Sequence, residues 1–348
     1  SDDVNVLIMN MHHIITDGWS FEIFLKELNI AYEAYCKGEV PGLEPLEIQY
    51  GDFALWQRSW LQGEVLEKQL GYWKEALNGA PESIGLATDY ERPKELSYEG
   101  GIYTREISES LLKKVKALSE SEGATLFMTL LSVLNIVLYK NSGQEDMVIG
   151  SPIANRHYKE IEGLIGVFIN TLALRTQINP RMSFRELLRK VKETTVGAYS
   201  HQDIPFEQLV DNLNITRKTN QNPIFQITFA LQNAGNNVIK LQDINIEELD
   251  VTFRQAKFDL SVFVHEADDK MFLGIEYLKD IFSRETIERI GEQFERVLEC
   301  IVVSPEDEVG SYEVMSEEER YRLMVEWNAT RVEYPQDKTG QELFYEQV

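Results

Sequence analysis

Apolar positions along this chain follow two rhythms, and the balance between them changes near residue 100. Upstream, "VNVLIMNMHHI" is a continuous apolar and β-branched run, too short for a buried helix with caps. It predicts a buried strand ending at the turn Thr16-Asp17-Gly18. Behind the turn, Phe21, Phe24, Leu25, Leu28, Ala31 and Tyr32 recur at helical spacing and predict an amphipathic helix ending near Gly38. "YGDFALWQRSWL" and "VLEKQLGYWKEAL" predict two more helices, and Pro81 to Gly101, with Pro93 and the Gly100-Gly101 pair, reads as a connector.

Beyond the connector the two element types alternate. Strands are expected at Ile102–Ile107, Asp146–Ile153, Val167–Arg175, Ile224–Gln232, Ile244–Phe253, Leu260–His265 and Met271–Tyr277. Helices are expected at "LLKKVKALSESEG", "TLFMTLLSVLNIVLYKN" and "SFRELLRKVKETTVGAYS". The last opens with Ser183 and Glu186 at capping-box spacing and carries Phe184, Leu187, Leu188, Val191 and Ala198 on one face. A further buried stripe runs from Ile287 to Ile301, and "SEEERYRL" reads as a capped, solvated helix start. From Trp327 onward turn residues mix with an apolar pattern that completes no element. The first apolar element starts as early as Val4, so both ends read as cuts in a longer chain.

Composition narrows the function. With 34 Lys+Arg against 58 Asp+Glu, the net charge of -24 repels nucleic acid and anionic lipid, so neither is an expected partner. No run reaches the ~20 apolar residues of a membrane span, and the N-terminus lacks the basic flank of a signal peptide. Cys36 and Cys300 are far apart and form no CxxC pair, which fits a reducing cytoplasm rather than a disulfide framework. At 348 residues the chain exceeds the size of one typical core, and two lobes are expected.

Candidate chemistry centres on His12 and His13, two of only five histidines, so their adjacency calls for an explanation. Neighbouring strand residues face opposite ways, so one imidazole should face a cleft while the other anchors into packing. That geometry disfavours a metal site, for which His157, His201 and His265 offer no third ligand at suitable spacing. A histidine side chain titrates near ~6.5 and is therefore suited to acid–base work. Asp17 can fix the turn by pairing with an arginine, and Gly18 lets the backbone reverse. The alternative is that both histidines are hydrogen-bonded core residues.

"HHIITDG" resembles the HHxxxDG motif of the condensation domains of nonribosomal peptide synthetases, which belong to the chloramphenicol-acetyltransferase-like acyltransferases. Others follow in the family's order: "YGDFALW", "IGVFINTLALR" (Ile165–Arg175), "HQDIPFEQLV" and "NQNPIFQITFALQN". The stretch from Trp327 resembles the linker into an adenylation domain. The resemblance implies an α+β fold of two-layer α/β sandwich lobes, paired pseudo-symmetrically in a V, with the first lobe incomplete here. Residues 1–50 would be the end of the first lobe, 51–325 the second lobe, and 326–348 the linker and start of an adenylation domain.

The implied activity is amide formation: the amine of a downstream carrier-bound aminoacyl group attacks an upstream carrier-bound acyl or peptidyl thioester. Both substrates ride on 4'-phosphopantetheine arms of carrier proteins, and no cofactor or metal is bound directly. By motif position His13 acts on the attacking amine, Asp17 is structural through an arginine contact, and His12 and Gly18 support the turn. The resemblance nominates Asn222 as an oxyanion donor, against the reading of an Asn that satisfies backbone before Pro223. Arg156 pairs with Asp17, braces a loop or forms a surface ion pair. Asn170 and Thr171 are expected at a turn or strand junction, His201 and Asp203 as caps of the "PFEQLV" helix, and Trp56, Trp60 and Trp73 as packing residues. "NTLALR" and "HQDIPFEQLV" resemble the subtype that accepts a D-configured or starter acyl donor. Rival readings are an epimerization domain, an ester-forming acyltransferase, and a silent docking module.

Overall fold

The computed structural model describes residues 5–213, 215, 218–232, 241, 244–247, 249, 255–267, 270–331, 333 and 338–347. Two compact units are present, Ser1–Tyr312 and Glu313–Val348. The first opens with helices α1 (Gly18–Cys36), α2 (Tyr50–Trp60) and α3 (Gly63–Ala76). It continues through β1 (Gly100–Ile107), α4 (Glu109–Ser121), α5 (Leu126–Ser142), β2 (Asp146–Ile153), α6 (Lys159–Glu162) and β3 (Asn170–Gln177). Helices α7 (Phe184–Tyr199) and α8 (Phe206–Asn212) precede β4 (Ile227–Gln232), β5 (Leu260–Ala267), β6 (Lys270–Leu278) and α9 (Arg284–Val303).

The six strands form one mixed sheet in the order β1-β6-β5-β4-β2-β3. The β4 strand is parallel to both neighbours, while β1/β6, β5/β6 and β2/β3 pair antiparallel. Burial alternates along β5 and β6: Val262, Val264, Leu273 and Ile275 are buried, whereas Phe263, His265, Phe272 and Glu276 are only half-buried. The buried face is covered by helices, with α4 and α9 against β6, α5 against β4 and α7 against β3. This is a two-layer α/β sandwich, as the alternation of elements predicts. Among its helices α5 is apolar all round because it lies between α7 and α9 as well as on the sheet. The Ser183/Glu186 capping box starts α7 as expected.

Four expectations are corrected. The run from residue 5 to 12 has no regular structure, and Val6, Leu7 and Ile8 are 62%, 63% and 82% exposed. A strand exists only through its partner, and none of the described strands pairs with this segment. The Gly100-Gly101 pair belongs to β1 rather than to a connector. A Cβ on Gly101 would sit 2.3 Å from the Tyr277 ring across the ladder, which requires glycine there. The expected strand ends of β3 and β4 shift inward by three residues, since Val167–Ile169 and Ile224–Gln226 form the approaches to those strands. The last correction concerns the C-terminal unit, where α10 (Glu317–Tyr321) runs on as a π-helical turn and α11 (Gly340–Gln347) forms where no element was expected. The predicted strand Ile244–Phe253 lies outside the described residues except 244–247 and 249, which carry no regular structure.

Candidate active site

Helix α1 starts where it does because Asp17 is an N-cap. Its backbone is extended, and its Oδ1 accepts the amide proton of Ser20 at 2.8 Å. Just before it, residues 12–15 form a tight turn in which Ile15 N donates to the His12 carbonyl at 3.1 Å. The amide of Ile14 donates to His12 Nδ1 at 3.0 Å, which places the proton of a neutral His12 ring on Nε2. Both histidines are exposed. The expectation that one is packed is therefore corrected: strand alternation does not apply in a turn, and His12 is held by its own backbone instead. The side chain of His13 makes no hydrogen bond among the described residues and stands free at the surface of the turn.

Beneath the turn lies a buried polar knot. Arg156, just past β2, has its side chain fully buried, and its Nη2 meets Asp17 Oδ1 at 3.2 Å. The same Nη2 donates to Ser20 Oγ at 2.8 Å, and Nη1 donates to the carbonyls of Ile161 and Leu164, each at 2.7 Å. Asp17 Oδ2 accepts the amides of Phe168 at 2.8 Å and Ile169 at 3.3 Å. The guanidinium also lies 4.0 Å from the centre of the Phe168 ring. The sequence reading that gave Arg156 a surface ion pair is excluded, and the pairing with Asp17 is the one realised.

The loop that completes the knot is set by packing. Phe168 joins Phe53, Ile161 and Leu164 in a small core capped by Tyr50 and Ile48. The Tyr50 ring passes so close to Gly166 that a Cβ there would lie 2.1 Å from Tyr50 Cδ2, while Tyr50 OH donates to the Val167 carbonyl at 3.0 Å. The "IGVFIN" glycine is thus required by close approach. From α1, Trp19 Nε1 donates to the Glu162 carbonyl at 2.9 Å.

Burial pushes the Asp17 carboxyl upward, but hydrogen bonds from the Ser20 side chain, from the Ser20 and Phe168 amides, and the Arg156 charge outweigh it. Its pKa is lowered below the ordinary 3.8. Burial pulls Arg156 down against the attraction of Asp17, yet a guanidinium stays charged throughout the accessible range. The knot is therefore an ion pair with its desolvation largely offset by hydrogen bonds, and its geometry leaves no freedom to the start of α1.

Asn170 is buried and wholly engaged with backbone. Its Nδ2 donates to the carbonyls of Gln202 and Ile204, and its Oδ1 accepts the amides of Thr171 and Phe206. It thus performs the junction role expected of it and supplies the acceptor for the first amide of α8. The capping role assigned to His201 and Asp203 is corrected. The His201 ring is hydrogen-bonded to the Gly197 carbonyl and stacks on Tyr72, while Asp203 accepts Gln69 Nε2 and faces His157. Asn222 donates to the Lys257 carbonyl at 2.7 Å and lines a polar depression of about 220 Å³ with Asn220, Tyr98 and Asp259. No contact joins it to His13 among the described residues. Trp73 is buried, but Trp56 is 37% exposed and stacks on Trp60 at 5.1 Å, a surface pair rather than core.

The residue missed in the sequence is Ser20. Its signal was present in Asp17-Gly18-Trp19-Ser20, where the fourth residue is the N3 position facing an N-cap side chain. Among the described residues no group of three His, Cys, Asp or Glu is placed to hold a metal, and no single helix is long and apolar enough to cross a membrane.

A family model described as Condensation domain matches residues 1–324. A linear gramicidin synthase polypeptide of Brevibacillus parabrevis is 46% identical over 347 residues, which are 99% of this chain and 4% of that protein. Malpinin synthetase of Mortierella alpina is 42% identical over 346 residues, again 99% of this chain and 4% of its own length. The chain thus spans a small fraction of the curated relatives it matches. Among solved structures, the X-domain from teicoplanin biosynthesis in complex with OxyB superposes with a TM-score of 0.80 at 24% identity, over 88% of this chain and 69% of that one. A holo four-domain nonribosomal peptide synthetase bound to AMP and glycine gives 0.79 at 23%, over 88% of this chain and 24% of that one. These likenesses establish the fold.

Proposed function

This chain belongs to the condensation-domain family of nonribosomal peptide synthetases, and we propose that it joins a carrier-bound aminoacyl amine to an upstream carrier-bound acyl or peptidyl group. The amine nitrogen attacks the thioester carbonyl, the C–N bond forms, and the C–S bond breaks. The upstream 4'-phosphopantetheine thiol leaves with a proton, and the lengthened chain stays on the downstream carrier. The observation that carries the reading is the exposed His13 on a turn anchored by the buried Asp17–Arg156 knot. An imidazole so held can accept or orient the amine proton, and a positioned base typically contributes ~10²–10⁴-fold. Because the thioester is already activated, holding amine and carbonyl together supplies much of the remainder, effective molarities reaching ~10⁵–10⁸ M in oriented systems.

In this reading Asp17, Arg156 and Gly18 fix the backbone of the turn, His12 closes it, and Asn170 sets the junction that carries the neighbouring loop. Asn222, engaged with Lys257, serves as a support of its own turn rather than as an oxyanion donor. The exposed Val6, Leu7, Ile8, Ile14 and Ile15 support the division in which residues 1–50 end a first lobe whose remainder lies on an upstream segment or separate polypeptide. Residues 51–325 then form the second lobe, and 326–348 lead into an adenylation domain. The partners are an upstream donor carrier and a downstream acceptor carrier in the cytoplasm, and the donor is D-configured or a starter acyl group.

The test supplies the domain within its full parent polypeptide with donor and acceptor carriers loaded in turn with L- and D-configured donors. The expected result is an amide on the acceptor carrier, formed faster from the D-configured donor and abolished when the acceptor amine is acetylated. Inversion of a donor centre without a mass increase would favour epimerization, and product only with a hydroxy acceptor would favour ester formation. No reaction with any pair would leave a docking module. A preference for L-donors would reject the subtype alone.

A further inference from the structure

We propose that Ser20 is a positioning residue for this reaction, its hydroxyl setting the seat of Asp17 and through it the placement of the turn that bears His13. The inference rests on the role given to His13 above. Ser20 is fully buried in the first turn of α1. Its Oγ lies 2.7 Å from Asp17 Oδ1, 2.7 Å from the Gly166 carbonyl, 2.8 Å from Arg156 Nη2 and 3.1 Å from the Gly166 amide.

A hydroxyl carries one proton and two lone pairs. The N–H groups of Arg156 and Gly166 occupy the lone pairs, so the single proton is divided between the Asp17 carboxylate and the Gly166 carbonyl. One oxygen thus ties together three stretches distant in sequence: the start of α1, the residue after β2, and the "IGVFIN" loop. Remove it, and Asp17 loses a donor while Arg156 and Gly166 each lose an acceptor inside a closed site. The carboxylate is then free to shift toward the amides of Phe168 and Ile169.

His13 would register that shift because its turn is anchored from one side. Upstream, residues 5–11 carry no regular structure, and its own side chain has no hydrogen bond among the described residues. The turn 12–15 is closed by local bonds only, and its first fixed point downstream is Asp17. Misplacing a reacting group by about 1 Å is enough to cost about a hundredfold in rate.

The test is a double-mutant cycle in the full parent polypeptide, read as single-turnover amide formation between loaded carriers. Ser20→Ala is predicted to lower turnover by about tenfold to a hundredfold while the apparent KM for the acceptor carrier changes less than about threefold. In a His13→Ala background the same substitution should cost less than about twofold, because the group it positions is gone. Ser20→Cys, which keeps the shape but bonds weakly, should fall between, and it decides the cycle if Ser20→Ala does not fold. Equal losses in both backgrounds, or wild-type turnover in Ser20→Ala, would overturn the proposal. A His13→Ala variant as fast as wild type would remove the reading of His13 and this inference together, whereas a slow His13→Ala with additive losses removes this inference alone.

Discussion

Replacing Asp17 by asparagine should destabilise this chain far more than its one-atom change implies. Every contact of the carboxylate is with a donor: Ser20 N, Ser20 Oγ and Arg156 Nη2 on Oδ1, and the amides of Phe168 and Ile169 on Oδ2. An asparagine has one acceptor oxygen, so its amide nitrogen must point at donors on one side or the other. Turned toward Phe168 it forfeits two backbone bonds; turned toward Ser20 it forfeits three contacts, including the guanidinium. In either pose Arg156, with no exposed side-chain surface, loses its counter-charge. Breaking one member of a buried pair costs ~3–5 kcal/mol, and the count of lost bonds at ~1–3 kcal/mol each agrees with that range. Urea unfolding of wild type, Asp17→Asn, Arg156→Met and the double variant measures it. The double variant should recover part of the sum, with a coupling of ~1–3 kcal/mol. A loss below ~1 kcal/mol for Asp17→Asn, the range of an exposed pair, would overturn this expectation.

Because the Asp17 pKa is lowered in the folded state, its contribution is fully present above the unfolded value near 3.8 and is lost as pH falls through the folded value. The stability gap between wild type and Asp17→Asn should therefore be constant from pH 7 to 5 and close in the more acidic range, and a gap that widens on acidification would contradict the sign. Gly166→Ala places a Cβ 2.1 Å from Tyr50 Cδ2 and should cost ~1–3 kcal/mol by overpacking, with Tyr50→Leu restoring part of it in thermal denaturation. Asn170→Ala strips the Phe206 amide and two carbonyls of their partner and should lose ~2–4 kcal/mol, with hydrogen exchange accelerated at the start of α8.

Much of the second half of the chain was legible because its signals are local. Helical stripes such as that of α9 and the Ser183/Glu186 capping box declare their own geometry, and the alternation of element types led to the sandwich. What failed was relational. The segment from residue 5 to 12 has strand composition but no partner among the described strands, and the two histidines could not be assigned by strand alternation once the backbone turned. Glycines 101 and 166 looked like punctuation, yet each is demanded by an aromatic ring, Tyr277 and Tyr50, that is distant in sequence. Asp17 was legible as an arginine's partner. Which arginine could not be settled without the fold, and neither could the way Ser20, three residues on, ties both to the loop.

If an exposed imidazole on a buried ionic mount promotes amide formation between two carriers, its removal must slow that step and nothing before it. Intact-mass analysis of the acceptor carrier after single turnover decides the matter, with the domain in its full parent polypeptide and wild type compared with a folded His13→Ala variant. The expected product mass on the downstream carrier equals donor acyl plus acceptor, formed at least about a hundredfold more slowly by the variant. Equal rates for the two, or no product from wild type with any loaded pair, would contradict the role given to His13.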